Sequence, residues 1–222
     1  DEVQIIILAA GKGVRMQSDK PKALTLLRGK PFLNHILETI KTLNLPIEPI
    51  IVVGYKKERI LEIIGQEYNY AHQREQLGTG HAVLSAKNNI NKKHKIVLVL
   101  SVDQPLISKE TILKIIKKHI ETKPAITMAN VVLSDFKDWR SLLINFGRII
   151  RNENNQKIEK ILELKDANEK EKKITEVNGA VYAFDSVWLW KNIDKLKNEN
   201  SQKEYYLTAL INIAYAQGEK IE

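Results

Sequence analysis

The stretch Leu8 to Leu24, LAAGKGVRMQSDKPKAL, places Gly11 and Gly13 among Lys12, Arg15, Lys20 and Lys22, directly behind the apolar run VQIIIL. Glycines admit left-handed backbone or the close approach of a ligand. The N–H groups of such a turn can form an anion-binding nest. Arg15 offers a two-pronged contact to phosphate oxygens. Lys12 and Lys22 add point charges, and Pro21 stiffens the backbone before Lys22. A positive cradle of this kind serves phosphoryl or nucleotidyl transfer, where charge develops on non-bridging oxygens. The spacing is not that of a P-loop, nor of G-x-G-x-x-G, because Gln17 and Ser18 follow Met16. The competing reading is a solvated charged turn after a strand.

Two further groups have chemistry to offer. Asp103 closes the run HKIVLVLSVD. A hard Mg²⁺ takes oxygen ligands and keeps water while it binds substrate phosphates, so a strand-end carboxylate could hold one; the competing reading of Asp103 is a cap or turn residue. Gln73, Gln76, Gly78 and Thr79 surround a turn before a helix. Amides can read the edge of a base, and glycines let its ring approach the backbone. His72, His81 and His119 form no metal pattern; His81 reads as a packing residue.

These residues need elements to hold them. VQIIIL, Ile50–Val53, HKIVLVLSVD and AITMANVVL read as strands, with Pro46 and Pro49 limiting the second. Helical spacing runs through PFLNHILETIKTLN, KKERILEIIG, TGHAVLSAKNNI and KETILKIIKKHIE, the last capped by Ser108. The alternation predicts an α/β fold with a doubly wound, mostly parallel sheet. Right-handed crossovers bring the strand-to-helix loops to one sheet edge, so the charged loop should meet Asp103. Beyond residue 132 the pattern loosens. ITEVNGAVYAF reads as a strand, VWLWKNIDKL and YYLTALINIAYAQG as helices.

The chain has 222 residues, 43% of them hydrophobic, and a net charge of +8, with an excess of +9 in residues 1–150 and −1 in residues 151–222. That length suits one compact unit whose regular pattern ends at about residue 131 and gives way to a less regular lobe. With no cysteine, disulfides and zinc–thiolate sites are excluded, in keeping with a cytoplasmic protein. No apolar run has the length of a membrane span, and DEVQIIILAAG does not read as a signal peptide. The positive charge could steer an anionic partner. Nucleic acid is disfavoured because the basic residues show no repeated aromatic platform or groove-reading helix.

LAAGKGVRM followed by PK resembles the signature of sugar nucleotidyltransferases, and QREQLGTGHAV resembles the uridylyltransferases that make UDP-N-acetylglucosamine. VDQPLI, FGRIIR, ILELKDA, VNGAVYAF and SQKEYYLT follow in that family's order. The resemblance implies a Rossmann-like sheet of the nucleotidyltransferase type with a small mixed sugar-binding lobe. It implies Mg²⁺ at Asp103, with UTP and N-acetylglucosamine 1-phosphate as substrates. Arg15 and Lys22 would be catalytic. Leu8, Ala10, Gly11, Gly13, Gln73, Gln76, Gly78 and Thr79 would bind the nucleotide. Gly147, Glu163, Asn178, Tyr205 and Thr208 would bind the sugar, since a glycine N–H, a carboxylate and an amide can hold hydroxyls or an N-acetyl group.

The chain departs from that pattern in places. Ser101, Val102 and Asp103 stand where the family has Tyr-Gly-Asp, and Asn178, Gly179 and Ala180 where it has Asn-Thr-Gly. Phe146 replaces a tyrosine before the Gly-Arg pair, Ala209 an aspartate after Thr208, and residues 132–145 diverge. The resemblance places a second metal ligand, an asparagine, and a trimer-forming hexapeptide-repeat acyltransferase domain beyond Glu222. The alternatives are transfer to another sugar or alcohol phosphate, and a weakly active or non-catalytic nucleotide-sugar-binding protein.

Overall fold

The computed structural model describes residues 3–13, 19–46, 48–91 and 93–222. Strand β1 (Val3–Leu8) is apolar along its length because both its faces are covered: Ile5, Ile6 and Ile7 have no exposure. A two-residue turn at Arg28 and Gly29, both at positive φ, joins β2 (Leu26–Leu27) to β3 (Lys30–Pro31). Helix α1 (Phe32–Lys41) starts at Pro31 and buries Leu33, Ile36, Leu37 and Ile40. Then come β4 (Ile50–Val53), α2 (Lys57–Ile64), β5 (Asn69–His72), α3 (Thr79–Ser85) and β6 (Ile96–Ser101). Helix α4 (Lys109–Thr122) is capped by Ser108, whose side chain accepts from the Thr111 N–H.

Strand β7 (Ile126–Val132) leads through 3-10 turns to β8 (Arg148–Arg151) and β9 (Ile158–Leu162). Strand β10 (Glu176–Asp185) returns to the sheet, followed by α5 (Ser186–Asn192) and α6 (Ala209–Ala216). The main sheet runs β5-β4-β1-β6-β10-β8-β9, with β7 on the other side of β10. Strands β4, β1 and β6 pair in parallel and β5 parallel to β4, whereas β10 runs antiparallel to β6. The expected parallel sheet is therefore present as β5-β4-β1-β6, extended by an antiparallel part.

Alternation along β1 feeds two cores. Ile5 and Ile7 join Leu33, Ile36 and Ile112 on one face. Ile6 joins Val83, Leu189 and Leu210 on the other. Helices α1, α2 and α4 cover the first face and α3, α5 and α6 the second, which is the doubly wound arrangement. Beyond the short β2–β3 pair, three strands of the main sheet were not read from the sequence as strands. β5 is a short, partly exposed edge; β8 and β9 form a mixed-polarity hairpin whose register shifts between Ile150 and Arg151.

The register of β10 also breaks, between Asn178 and Tyr182. Ala180 sits there at φ 52°, with its N–H donating to the Asn178 Oδ1 at 2.9 Å. Left-handed backbone costs a non-glycine residue about 1 kcal/mol, and glycine's extra freedom in the unfolded chain offsets part of any relief. Ala180→Gly is therefore expected to raise stability by about 0.5 kcal/mol, read as a higher denaturant midpoint with unchanged slope. A lower midpoint would show that the Ala180 methyl contributes more through packing than the strain costs.

Candidate active site

The carboxyl ends of β1, β4 and β6 share one sheet edge. Backbone bonds lace their loops: Ala9 N–H to Val52 O at 2.9 Å, Tyr55 N–H to Ala10 O at 3.2 Å and Val102 N–H to Leu8 O at 3.1 Å. At this edge Lys22 Nζ meets Asp103 Oδ2 at 2.7 Å, across 81 residues of sequence. Burial pushes the Asp103 carboxyl upward, but the Lys22 charge and hydrogen bonds from Lys22 and Ser101 outweigh it and hold it below the usual carboxylate range. Both side chains remain reachable, at 30% and 43% exposure.

The glycine loop fits around this pair. Gly13 lies at φ 66°, and a Cβ there would press on Lys22 Cβ at 3.3 Å. Lys22 N–H reaches back to Gly11 O at 3.4 Å. Among the described residues a Cβ on Gly11 would meet nothing within 4 Å. Lys12 lies over the Tyr55 ring at 5.3 Å. Lys56 pairs with Asp19 and also faces that ring. Arg15 lies outside the described residues.

Beside the loop stand Gln73, Gln76, Gly78 and Thr79. Gln73 is buried, and its amide donates to Gly78 O at 3.0 Å and His81 Nδ1 at 3.1 Å. Its NH₂ is thus spent on holding the turn, and His81 serves that packing. Among the described residues Gln76 makes a single, long hydrogen bond, to Gln73 O at 3.4 Å, so it is the freer amide. Thr79 Oγ1 accepts from Leu207 N–H at 2.9 Å. Sequence reasoning missed Gly54. A Cβ there would lie 2.7 Å from Gln76 Nε2, 2.9 Å from Gln73 O and 3.0 Å from Ala10 Cβ. The run of valines before it drew attention to the strand instead.

A cavity of about 380 Å³ opens next to Asp103. Leu8, Ser101 and Asp103 line its sheet side, and Thr79 its α3 side. Gly147, Glu163, Asn178 and Thr208 converge on it from four separate segments. Thr208 Oγ1 donates to Glu163 Oε1 at 3.3 Å, and Asn178 N–H to Gly147 O at 2.9 Å. Asn178 Oδ1 accepts from Tyr182 O–H at 2.7 Å and from Ala180 N–H, which leaves its NH₂ for a ligand. Tyr205 does not line the cavity; Tyr206 does. The two backbone bonds of Tyr205, N–H to Leu77 O at 2.8 Å and O from Gly80 N–H at 2.7 Å, fix it against the glycine turn. Gln104, also missed, lines the cavity and ties β6 to the β10 bulge through Gly179 O at 2.7 Å.

Among the described residues no group of three or more His, Cys, Asp or Glu side chains could hold a metal. The donor set at this edge is one accessible carboxylate beside open space. That suits a hard ion that takes most of its ligands from water and substrate phosphates. No helix among the described residues is long and apolar enough to cross a membrane.

A parallel sheet with a glycine–lysine loop, a strand-end aspartate and an adjoining cavity that presents Glu163, Asn178 and Thr208 is the arrangement of a nucleotidyltransferase-type α/β fold. The chain belongs to the MobA-like NTP transferase domain family, whose profile matches residues 5–166. It is 38% identical over 216 residues to the bifunctional protein GlmU of Exiguobacterium sibiricum, covering 97% of this chain and 46% of that protein. GlmU of Streptococcus pyogenes serotype M12 is 37% identical, with 97% and 50% covered. The chain thus spans about half the length of these curated relatives. A UDP-glucose pyrophosphorylase structure complexed with UDP-glucose superposes with a TM-score of 0.76 at 16% identity, covering 99% of this chain and 89% of that one.

Proposed function

We propose that the protein transfers the uridylyl group of UTP to N-acetylglucosamine 1-phosphate, giving UDP-N-acetylglucosamine and pyrophosphate. The carrying observation is the Lys22–Asp103 pair at the mouth of a cavity lined by Gly147, Glu163, Asn178 and Thr208. Similarity to GlmU proteins supports the same reading. Gln76 and the Gly78 turn are assigned to the uracil, with Gln73 holding that turn. Leu8, Ala10, Gly11 and Gly13 are assigned to the rest of the nucleotide, and Arg15 to its phosphates.

The acceptor phosphate is already ionised, so no side chain has to remove a proton. One of its oxygens bonds to the α-phosphorus of UTP, the bond from that phosphorus to the bridging oxygen breaks, and pyrophosphate leaves. The protein's task is to hold two polyanions in line and offset their repulsion. Lys22 is assigned to the reacting phosphates. Asp103 would hold Mg²⁺, which when bound supplies charge neutralisation on the phosphate oxygens. Glu163, Asn178 and the Gly147 N–H would hold the sugar, with Thr208 steadying Glu163. Residues 1–131 supply the nucleotide side and 132–222 the sugar side.

The test is pyrophosphate release with Mg²⁺ and UTP, comparing N-acetylglucosamine 1-phosphate with glucose 1-phosphate and omitting each substrate in turn. Release that requires the acetylated sugar is expected. Preference for glucose 1-phosphate would move the assignment to another sugar phosphate, as the UDP-glucose pyrophosphorylase likeness allows. Asp103→Asn is expected to weaken the Mg²⁺ dependence of release. An unchanged Mg²⁺ titration would remove Asp103 from the metal site.

A further inference from the structure

Arg148 heads the largest fully buried side chains of the protein, with 0% exposure. Burying a charge is costly without compensation, and among the described residues no carboxylate pairs with this one. Burial alone holds its guanidinium below the ordinary arginine value. Backbone carbonyls take the place of a counter-ion. Nε and Nη2 each donate to Lys172 O at 3.1 Å, Nη2 also to Ile144 O at 2.9 Å, and Nη1 to Phe146 O. The Phe136 ring lies against the guanidinium at 4.6 Å.

The position of those carbonyls gives the side chain a consequence for the cavity. Ile144 and Phe146 bracket Asn145 and immediately precede Gly147, and Asn145, Phe146 and Gly147 all line the cavity. Fixing two carbonyls of this short segment fixes which way its other groups face. Gly147 is constrained further: a Cβ there would lie 2.8 Å from Ile161 Cγ2 and 3.4 Å from Glu163 Oε1. A planar fork with five donors holds two chain segments in a fixed geometry, whereas an ammonium with three donors on a flexible stem holds fewer contacts and less rigidly. The divergent segment 132–145 supplies both Phe136 and the Ile144 carbonyl.

We propose that Arg148 is a positioning residue for the acceptor: held between Phe136 and the Lys172 carbonyl, it staples the Asn145–Gly147 wall in the conformation that receives the sugar phosphate. This rests on the proposed transfer reaction, but the staple can be tested without it. In the full chain, Arg148→Lys and Phe136→Leu are compared with the parent by amide hydrogen exchange over residues 144–147. Half-saturating concentrations of UTP and N-acetylglucosamine 1-phosphate are measured on the same proteins.

Arg148→Lys is expected to speed exchange at residues 144–147. It should raise the KM for the sugar phosphate about ten- to a hundred-fold, leaving the KM for UTP and the turnover at saturation within about twofold. Phe136→Leu moves the same readouts the same way by less, and it decides the matter if Arg148→Lys does not fold. Unchanged exchange at residues 144–147 overturns the proposal, as does an equal rise in both KM values. If the parent turns over no N-acetylglucosamine 1-phosphate, the functional reading fails, and the exchange data still decide the staple.

Discussion

Lys22→Ala is expected to lower turnover at saturating substrates by about 100- to 1000-fold, the scale for removing one preorganised donor to a developing charge. The fold should barely register it. The Lys22–Asp103 pair is 30% and 43% exposed, and exposed pairs contribute about 0–1 kcal/mol, so the unfolding midpoint should fall by no more than about 4 °C. The variant has a second consequence of opposite sign. Without the ammonium, Asp103 is left without its 2.7 Å partner, and a divalent cation no longer competes for that carboxylate. Mg²⁺ binding, followed by calorimetry without substrates, should tighten while catalysis collapses. General damage to the site would weaken both. Equal turnover in the purified variant and parent would remove Lys22 from the mechanism.

The meeting of these two residues is legible in the sequence. Continuous apolar runs alternating with helical periods force a parallel sheet, and a parallel sheet puts every strand-to-helix loop at one edge. The bounds Ile50–Val53 followed from two prolines, and the Ser108 cap from its position before a helical period. What stayed hidden shares a physical reason. Strand β5 is NYAH, four residues on an edge, with too little burial to show a pattern. Gly54 and Gln104 matter through contacts with distant segments, and local pattern carries no information about those. Of the tyrosine pair, only the backbone geometry of Tyr205 assigns Tyr206 to the cavity.

The departures from the family pattern also sort by backbone geometry. Val102 stands where glycine is usual, yet it is not among the described residues with positive φ, and it is buried at 3% exposure. That position asks nothing of glycine here and gains a core contact. Ala180 is the reverse, a side chain in left-handed backbone that lines the cavity. Substituting two glycines thus has different consequences in the two places, and composition alone does not separate them.

Gly78→Ala is expected to have the largest effect on stability, because its backbone and its neighbours both reject a side chain. At φ 107° and ψ 175° it occupies a region used almost only by glycine. A Cβ would lie 2.7 Å from Tyr205 O, 2.9 Å from Tyr205 N and 3.0 Å from Glu204 Cβ. Backbone atoms cannot swing aside as a side-chain tip can, so the two segments must separate. That separation strains the bonds from Tyr205 N–H to Leu77 O and Gly80 N–H to Tyr205 O, and the one from Leu207 N–H to Thr79 Oγ1. Strain of about 1–3 kcal/mol and weakened bonds of about 0.5–1.5 kcal/mol each give a loss of about 3 kcal/mol, or about 6–12 °C in midpoint. Gly11→Ala is the matching control, since among the described residues its Cβ meets nothing within 4 Å and its φ is not positive. It should unfold with the parent and lose only UTP affinity, because the added methyl occupies the space assigned to the nucleotide. Thermal unfolding and UTP titration on both variants separate the two effects. A Gly78→Ala protein as stable as the parent would mean that the 77–80 and 204–207 segments are not locked together. A Gly11→Ala protein with parental UTP affinity would move the nucleotide away from that loop.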